Sequence, residues 1–210
     1  MRPLGYSRLG LPCQLMGTGM AFPWSVISSV NLATGHLAED LKLGADLAFA
    51  GKAPLFCPEA QVISWSPPGK EGKRIQRTRW EHGHIAMIVD EFPRLLQRAL
   101  IGRNLPLLAI ALDLSVPPLS LLALLVIFLQ GMTVFWLAAT SSVASFIVST
   151  VLVLLFGAAV GVAWWRFGRD MLSLRDLVAA PVYCVSRIPS LLRFVTHRQV
   201  AWIRSPRNQE

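Results

Sequence analysis

The chain has 210 residues, 53% of them hydrophobic and only 15% charged, a composition too oily for a simple soluble globule and typical of a membrane protein. Its formal excess of eight positive charges, carried mostly by Arg, suits contact with anionic lipid or a phosphorylated ligand. The basic residues flank apolar runs and form no polar arm, so nucleic acid is not an expected partner, and Cys13, Cys57 and Cys184 lie too far apart for a metal site or a disulfide framework.

No apolar core followed by a small-residue cleavage site opens the chain, so targeting is expected from internal spans. Residues 11–16 read as a strand running into the glycine turn Gly17-Thr18-Gly19-Met20. Glycines two apart serve either a plain tight turn or a close backbone approach to a ligand. The apolar spacing over 37–51 predicts a helix ended by Gly51, with Glu39 and Asp40 in or near its first turn, where the helix dipole favours an ionised carboxylate. The pair serves either dipole compensation or, through one carboxylate, general-base chemistry. Residues 53–62 read as a short strand and turn, and 64–73 as a polar loop carrying Pro67-Pro68-Gly69.

That loop delivers the chain to Gln76-Arg77-Thr78-Arg79-Trp80. The planar donor fork of Arg suits phosphate oxygens, and an indole offers a flat face to a sugar ring. The alternative is a solvated basic face with Trp80 as an interfacial anchor. His82 and His84, two residues apart, do not share a metal on a helix. Residues 85–104 predict an amphipathic interfacial helix, with Ile85, Ile88, Val89, Phe92, Leu95, Leu96 and Leu100 on one side and Arg94, Arg98 and Arg103 opposite. Apolar runs over 107–129 and 134–165, joined by a turn at 130–133, predict two membrane spans, the second longer than a crossing needs, so that it either tilts, breaks near Ser141-Ser142 or begins as an interfacial piece with Phe135 and Trp136. Asp113 in the first run is either an intramembrane functional group or a cytosolic-end residue paired with Arg103. Arg94, Arg98 and Arg103 before the spans and Arg166, Arg169 and Arg175 after them place both chain ends in the cytoplasm. Residues 177–195, interrupted by Pro181 and Pro189, read as an interfacial helix pair or as a third full span, the helix pair being favoured.

A GTG turn, a Glu-Asp pair at a helix start, the run Pro58-Glu59-Ala60, a proline loop and then QRTRW before membrane spans resembles the family 2 inverting glycosyltransferases. In particular it resembles the membrane-embedded cellulose synthase, hyaluronan synthase and bacterial exopolysaccharide type. The resemblance covers roughly residues 10–205, including the tail at 202–207. It implies an α/β fold, the C-terminal half of a GT-A-like glycosyltransferase domain followed by transmembrane α-helices. The expected organisation is 1–84 catalytic half-domain, 85–104 interfacial helix, 105–166 two-helix membrane region and 167–210 cytosolic or interfacial tail.

The same resemblance makes Asp40 the catalytic base, with Ala38 where the family often has Thr or Ser. Gln76, Arg79 and Trp80 match the QxxRW motif beside the donor diphosphate and the acceptor sugar. Glu39 and Arg77 join the donor and acceptor groups, and Gly17, Thr18, Gly19 and Met20 line the acceptor side. A nucleotide-sugar donor and a polysaccharide or lipid-linked acceptor are implied, at the inner (plasma) membrane. The divalent metal (Mg or Mn) of the complete enzyme is expected to bind a DxD motif that this sequence lacks, in an N-terminal half upstream of residue 1. These residues are therefore not expected to be catalytic alone. A second class of function, a non-catalytic basic membrane hairpin acting as scaffold or partner subunit, stands beside the enzyme.

Overall fold

The computed structural model describes residues 2–32, 35–64 and 69–196, and these form two compact units. Among the described residues the first unit comprises those up to Pro117 together with 193–196, and the second is Pro118–Leu192.

In the first unit, α1 is Arg2–Arg8 and α2 a single turn at Trp24–Ile27. The helix expected over 37–51 appears as α3, Glu39–Phe49, and Gly51 beyond it takes a left-handed φ of +72°. Next, α4 (Lys70–Asp90) runs unbroken through QRTRW and across the expected 84/85 boundary. The polar loop thus ends by residue 70, and its residues 65–68 lie outside the described residues. Pro93 sits in the first turn of α5 (Phe92–Ile101), where its missing N–H does no harm but cannot continue the preceding helix. The apolar stripe of 85–100 is accordingly divided between two helices, and α5 buries Leu95 and Ala99. Met87, Leu95, Ala99, Leu107, Ile110, Ala111 and Leu114 form the core together with the small faces of α3 at Ala38, Ala45 and Ala48.

Two expectations fail here. Among the described residues there is no strand, so the expected α/β layer is not shown by them. The extended segments at 11–16 and 53–56 do meet, Cys13 N–H donating to Pro54 O at 3.1 Å, but Pro12, Pro54 and Pro58 remove ladder donors and two short strands are marginal without a third. The 107–129 run is also not one span. Pro117-Pro118 ends α6 (Leu105–Ser115), because the residue before a proline is pushed out of helical geometry. This 11-residue helix is half the length a crossing needs and is packed into the soluble-type core.

The second unit begins with α7 (Leu119–Thr140), which carries the expected 130–133 turn inside it as helix. The chain reverses at Ser141, in the left-handed region at φ +55°, and α8 (Val143–Ala163) follows, so the turn between the two apolar helices lies at 141–142 and not at the expected 130–133. Both helices are apolar all round and expose large side chains such as Phe128, Phe135, Leu154 and Leu155, as helices facing lipid do. Their mutual face is polar at one level: Thr133 Oγ1 and Ser149 Oγ are 2.6 Å apart, and Gln130 Nε2 donates to Thr150 Oγ1 at 3.3 Å. A π-helical turn at Trp164–Gly168 leads to α9 (Leu174–Ser186), capped by Ser173 and Asp176, and α10 (Ile188–Thr196). By length and composition three stretches could cross a membrane, Leu119–Thr140, Val143–Gly168 and Leu174–Phe194. The tail at 202–207 lies outside the described residues.

Candidate functional site

The site is built where the first turn of α3 meets α4 and the glycine turn. Asp40 is half-buried, and its Oδ1 accepts the backbone N–H of Leu41 at 2.9 Å. Its Oδ2 lies 3.0 Å from where a Cβ on residue 17 would stand, so Gly17, at φ +74°, closes over the carboxylate with bare backbone. Burial pushes the Asp40 pKa up. The helix N–H groups and Arg79 pull it down, while Glu39 adds to the rise, and burial prevails. The expected dipole-held ionisation is therefore reversed in direction: removing water costs the charged form more than the helix terminus returns.

Arg79 is half-buried and close enough to Asp40 to bias its ionisation. It arrives there because α4 crosses the start of α3 at Gly83, one helical turn after Arg79. A Cβ at position 83 would stand 3.0 Å from Ala38 Cβ and 3.2 Å from Ala38 N. Gly83 was not among the sequence-predicted site residues. The signal was present, since a glycine inside a 21-residue helix costs roughly 1 kcal/mol relative to Ala and needs a packing reason.

The remaining predicted residues divide. Glu39 and Arg77 are exposed, Gln76 is half-buried, and Trp80 is 59% exposed, turned away from the buried side that Arg79 occupies. Thr18, Gly19 and Met20 line a separate apolar cavity of about 1050 Å³ with residues such as Phe22, Leu47, Leu55 and Val62. Gly19 at φ +68° presses against Val62. The glycine turn thus joins the two regions, Gly17 on the carboxylate and Gly19 on the cavity wall.

Asp113 is neither in a membrane span nor paired with Arg103. It is 3% exposed, its Oδ1 is 3.3 Å from Arg2 Nη1, and its Oδ2 accepts the Gln14 N–H at 3.1 Å. His84, whose pKa is lowered by burial, donates from Nε2 to Leu114 O at 3.3 Å. Among the described residues no three His, Cys, Asp or Glu side chains are grouped to hold a metal ion. The neighbours of Asp40 are a glycine, backbone N–H groups, Glu39 and a cation, which do not make a metal cage.

A family model described as glycosyl transferase family group 2 matches residues 4–167, from α1 through α8. The chain belongs to glycosyl transferase family group 2. No curated protein and no solved structure matches it. A family group 2 glycosyltransferase moves a sugar from a nucleotide-sugar donor to an acceptor, and the matched span takes in Asp40, Gly17, Arg79, Trp80 and Gly83 alike.

Proposed function

We propose that the chain supplies the acceptor side of an inverting membrane glycosyltransferase, with Asp40 as general base. The observation that carries this is the convergence of Gly17, Asp40 and Arg79 from three separate segments, which leaves one half-buried carboxylate with a raised proton affinity. Such a carboxylate is a stronger base than a solvated one, and its pKa moves toward working pH. In the reaction the acceptor hydroxyl gives its proton to Asp40 as its oxygen bonds to the anomeric carbon. The bond from that carbon to the donor diphosphate breaks, the diphosphate keeping the electron pair, and attack from the opposite face inverts the centre. Arg79 offers charge to the leaving diphosphate, and Trp80 presents its exposed indole as a stacking face for a sugar ring. A divalent metal is expected of such an enzyme, and the roles given to Asp40, Arg79 and Trp80 do not depend on it.

The acceptor fits a polysaccharide or lipid-linked sugar because the site stands on a chain with membrane-length apolar helices. An even number of crossings is supported by one contact: the chain leaves the first unit after Pro117 and rejoins it at Arg193, where the Phe194 ring packs edge-on against His82, centroids 5.5 Å apart. With α7 and α8 crossing, Leu174–Phe194 is the stretch that does not. It is much less apolar than the other two, and it carries Arg175, Asp176, Arg187 and Arg193. It suits an interfacial helix pair. The cations before α7 and after α8, with none at the 141–142 turn, support a cytoplasmic side for the site.

The test is transfer of labelled sugar from nucleotide sugars by membranes carrying the full chain, alone and with a separately supplied half bearing a DxD segment. Transfer in either arm is expected. Tight membrane association with no transfer or nucleotide-sugar binding in any arm would favour the scaffold reading instead.

A further inference from the structure

Residues 13–17 pass over α3 along a path fixed at three points. Cys13 N–H donates to Pro54 O, Gln14 N–H donates to Asp113 Oδ2 at 3.1 Å, and Leu15 lies against Gly44, where an added Cβ would be 3.4 Å from both its Cγ and its backbone N. Two residues later Gly17 stands on Asp40. Positions 40 and 44 lie one turn apart on one face of α3, so Leu15 on Gly44 and Gly17 on Asp40 are successive contacts along that face. The outer anchor of this path is Asp113, buried in α6 and held by Arg2 through both its carboxylate and its backbone carbonyl, the latter at 3.0 Å.

We propose that Asp113 is a positioning residue for the transfer site: by holding the Gln14 N–H it keeps the 13–17 segment down on α3, so that Gly17 shields the Asp40 carboxylate from water. Its catalytic meaning rests on Asp40 being the base, but the positioning itself does not. The groups around Asp113 are Arg2, Tyr6, Cys13 and His84, and those around Asp40 are Glu39 and Arg79. None is shared; the backbone of residues 14–17 links the two carboxylates directly, and α4, with Arg79 beside Asp40 and His84 on Leu114 O, is the other path. A shift of that backbone lets water reach Asp40, and the proton affinity that burial raised falls back.

The experiment uses the full chain in lipid nanodiscs with ¹³C-labelled aspartate, following the Asp40 carboxyl titration and hydrogen exchange at the Gln14 amide. Two conservative variants separate geometry from charge. Asp113→Asn removes the charge opposite Arg2 but keeps an oxygen for the Gln14 N–H, and both readouts are expected to stay as in the parent. Asp113→Glu keeps the charge and moves the oxygen by one methylene. There the Asp40 midpoint is expected to fall by roughly half a unit or more, and Gln14 exchange to quicken roughly five- to tenfold. An Asn variant that shifts Asp40, or a Glu variant that does not, overturns the proposal. Sugar transfer by Asp40→Asn judges the base assignment separately, since neither readout here depends on turnover.

Discussion

Gly17 and Asp40 are in contact through the absence of a side chain: a Cβ at position 17 would stand 3.0 Å from Asp40 Oδ2 on a backbone whose φ is +74°. Both halves of that relationship resist replacement. Gly17→Ala forces an L-residue into the left-handed region, which costs roughly 1–2 kcal/mol, and pushes the methyl into the carboxylate. The expected result is a loss of that order in the stability of the first unit, measured by denaturant unfolding, together with a displaced and better hydrated Asp40. Gly10, at φ +66° with open space around it, provides the comparison, and its Ala variant is expected to show the backbone cost alone.

The raised pKa of Asp40 makes a signed prediction for stability against pH. The folded chain holds this proton more tightly than the unfolded chain does. The group's contribution is therefore fully present below the ordinary aspartate pKa of about 3.9 and is lost as pH rises through the higher folded value. Asp40→Asn has no proton to lose, so its stability relative to the parent is expected to climb across that window and stay higher at neutral pH. Thermal unfolding from pH 3 to 7 checks this. Parallel curves would contradict the burial of Asp40.

Gly83 sets the approach of α4 to α3. In an exposed helix Gly→Ala gains roughly 1 kcal/mol from propensity, but here the new methyl meets Ala38 Cβ at 3.0 Å and Ala38 N at 3.2 Å. Backbone cannot rotate aside as a side chain can. Gly83→Leu is expected to destabilise the first unit by about 2 kcal/mol or more, in the range of overpacking, and to release Arg79 from Asp40. For Gly83→Ala, the second-site change Ala38→Gly is expected to recover stability. Additive effects of the two in a double-mutant cycle would show that the contact is not what matters.

How far these relationships were legible in the sequence depended on whether they were local. The α3 helix follows from apolar spacing and Gly51, and the length of apolar sequence after residue 118 gives membrane-length helices but not their turn, which falls at Ser141-Ser142 and not at 130–133. Long-range packing was not legible. A run such as 107–129 has the hydropathy of a span whether it crosses lipid or fills a core, and only the break at Pro117-Pro118 with the burial of Leu107, Ile110 and Leu114 decides for the core. The same ambiguity put Asp113 at membrane depth, because its partners Arg2 and Gln14 lie about a hundred residues away. Extended segments at 11–16 and 53–56 carry strand-like composition, but their prolines and lack of a third strand leave one hydrogen bond where a ladder was expected.

The central claim is that Asp40 takes the acceptor proton, and labelled-sugar transfer by the full chain, assayed with the DxD-bearing half supplied, tests it most directly. Asp40→Asn keeps the shape of the side chain and removes the base, so the rate is expected to fall by about 10² to 10⁴ while the chain remains inserted and at least as stable as the parent at neutral pH. Transfer that continues at the parent rate in Asp40→Asn would contradict the account.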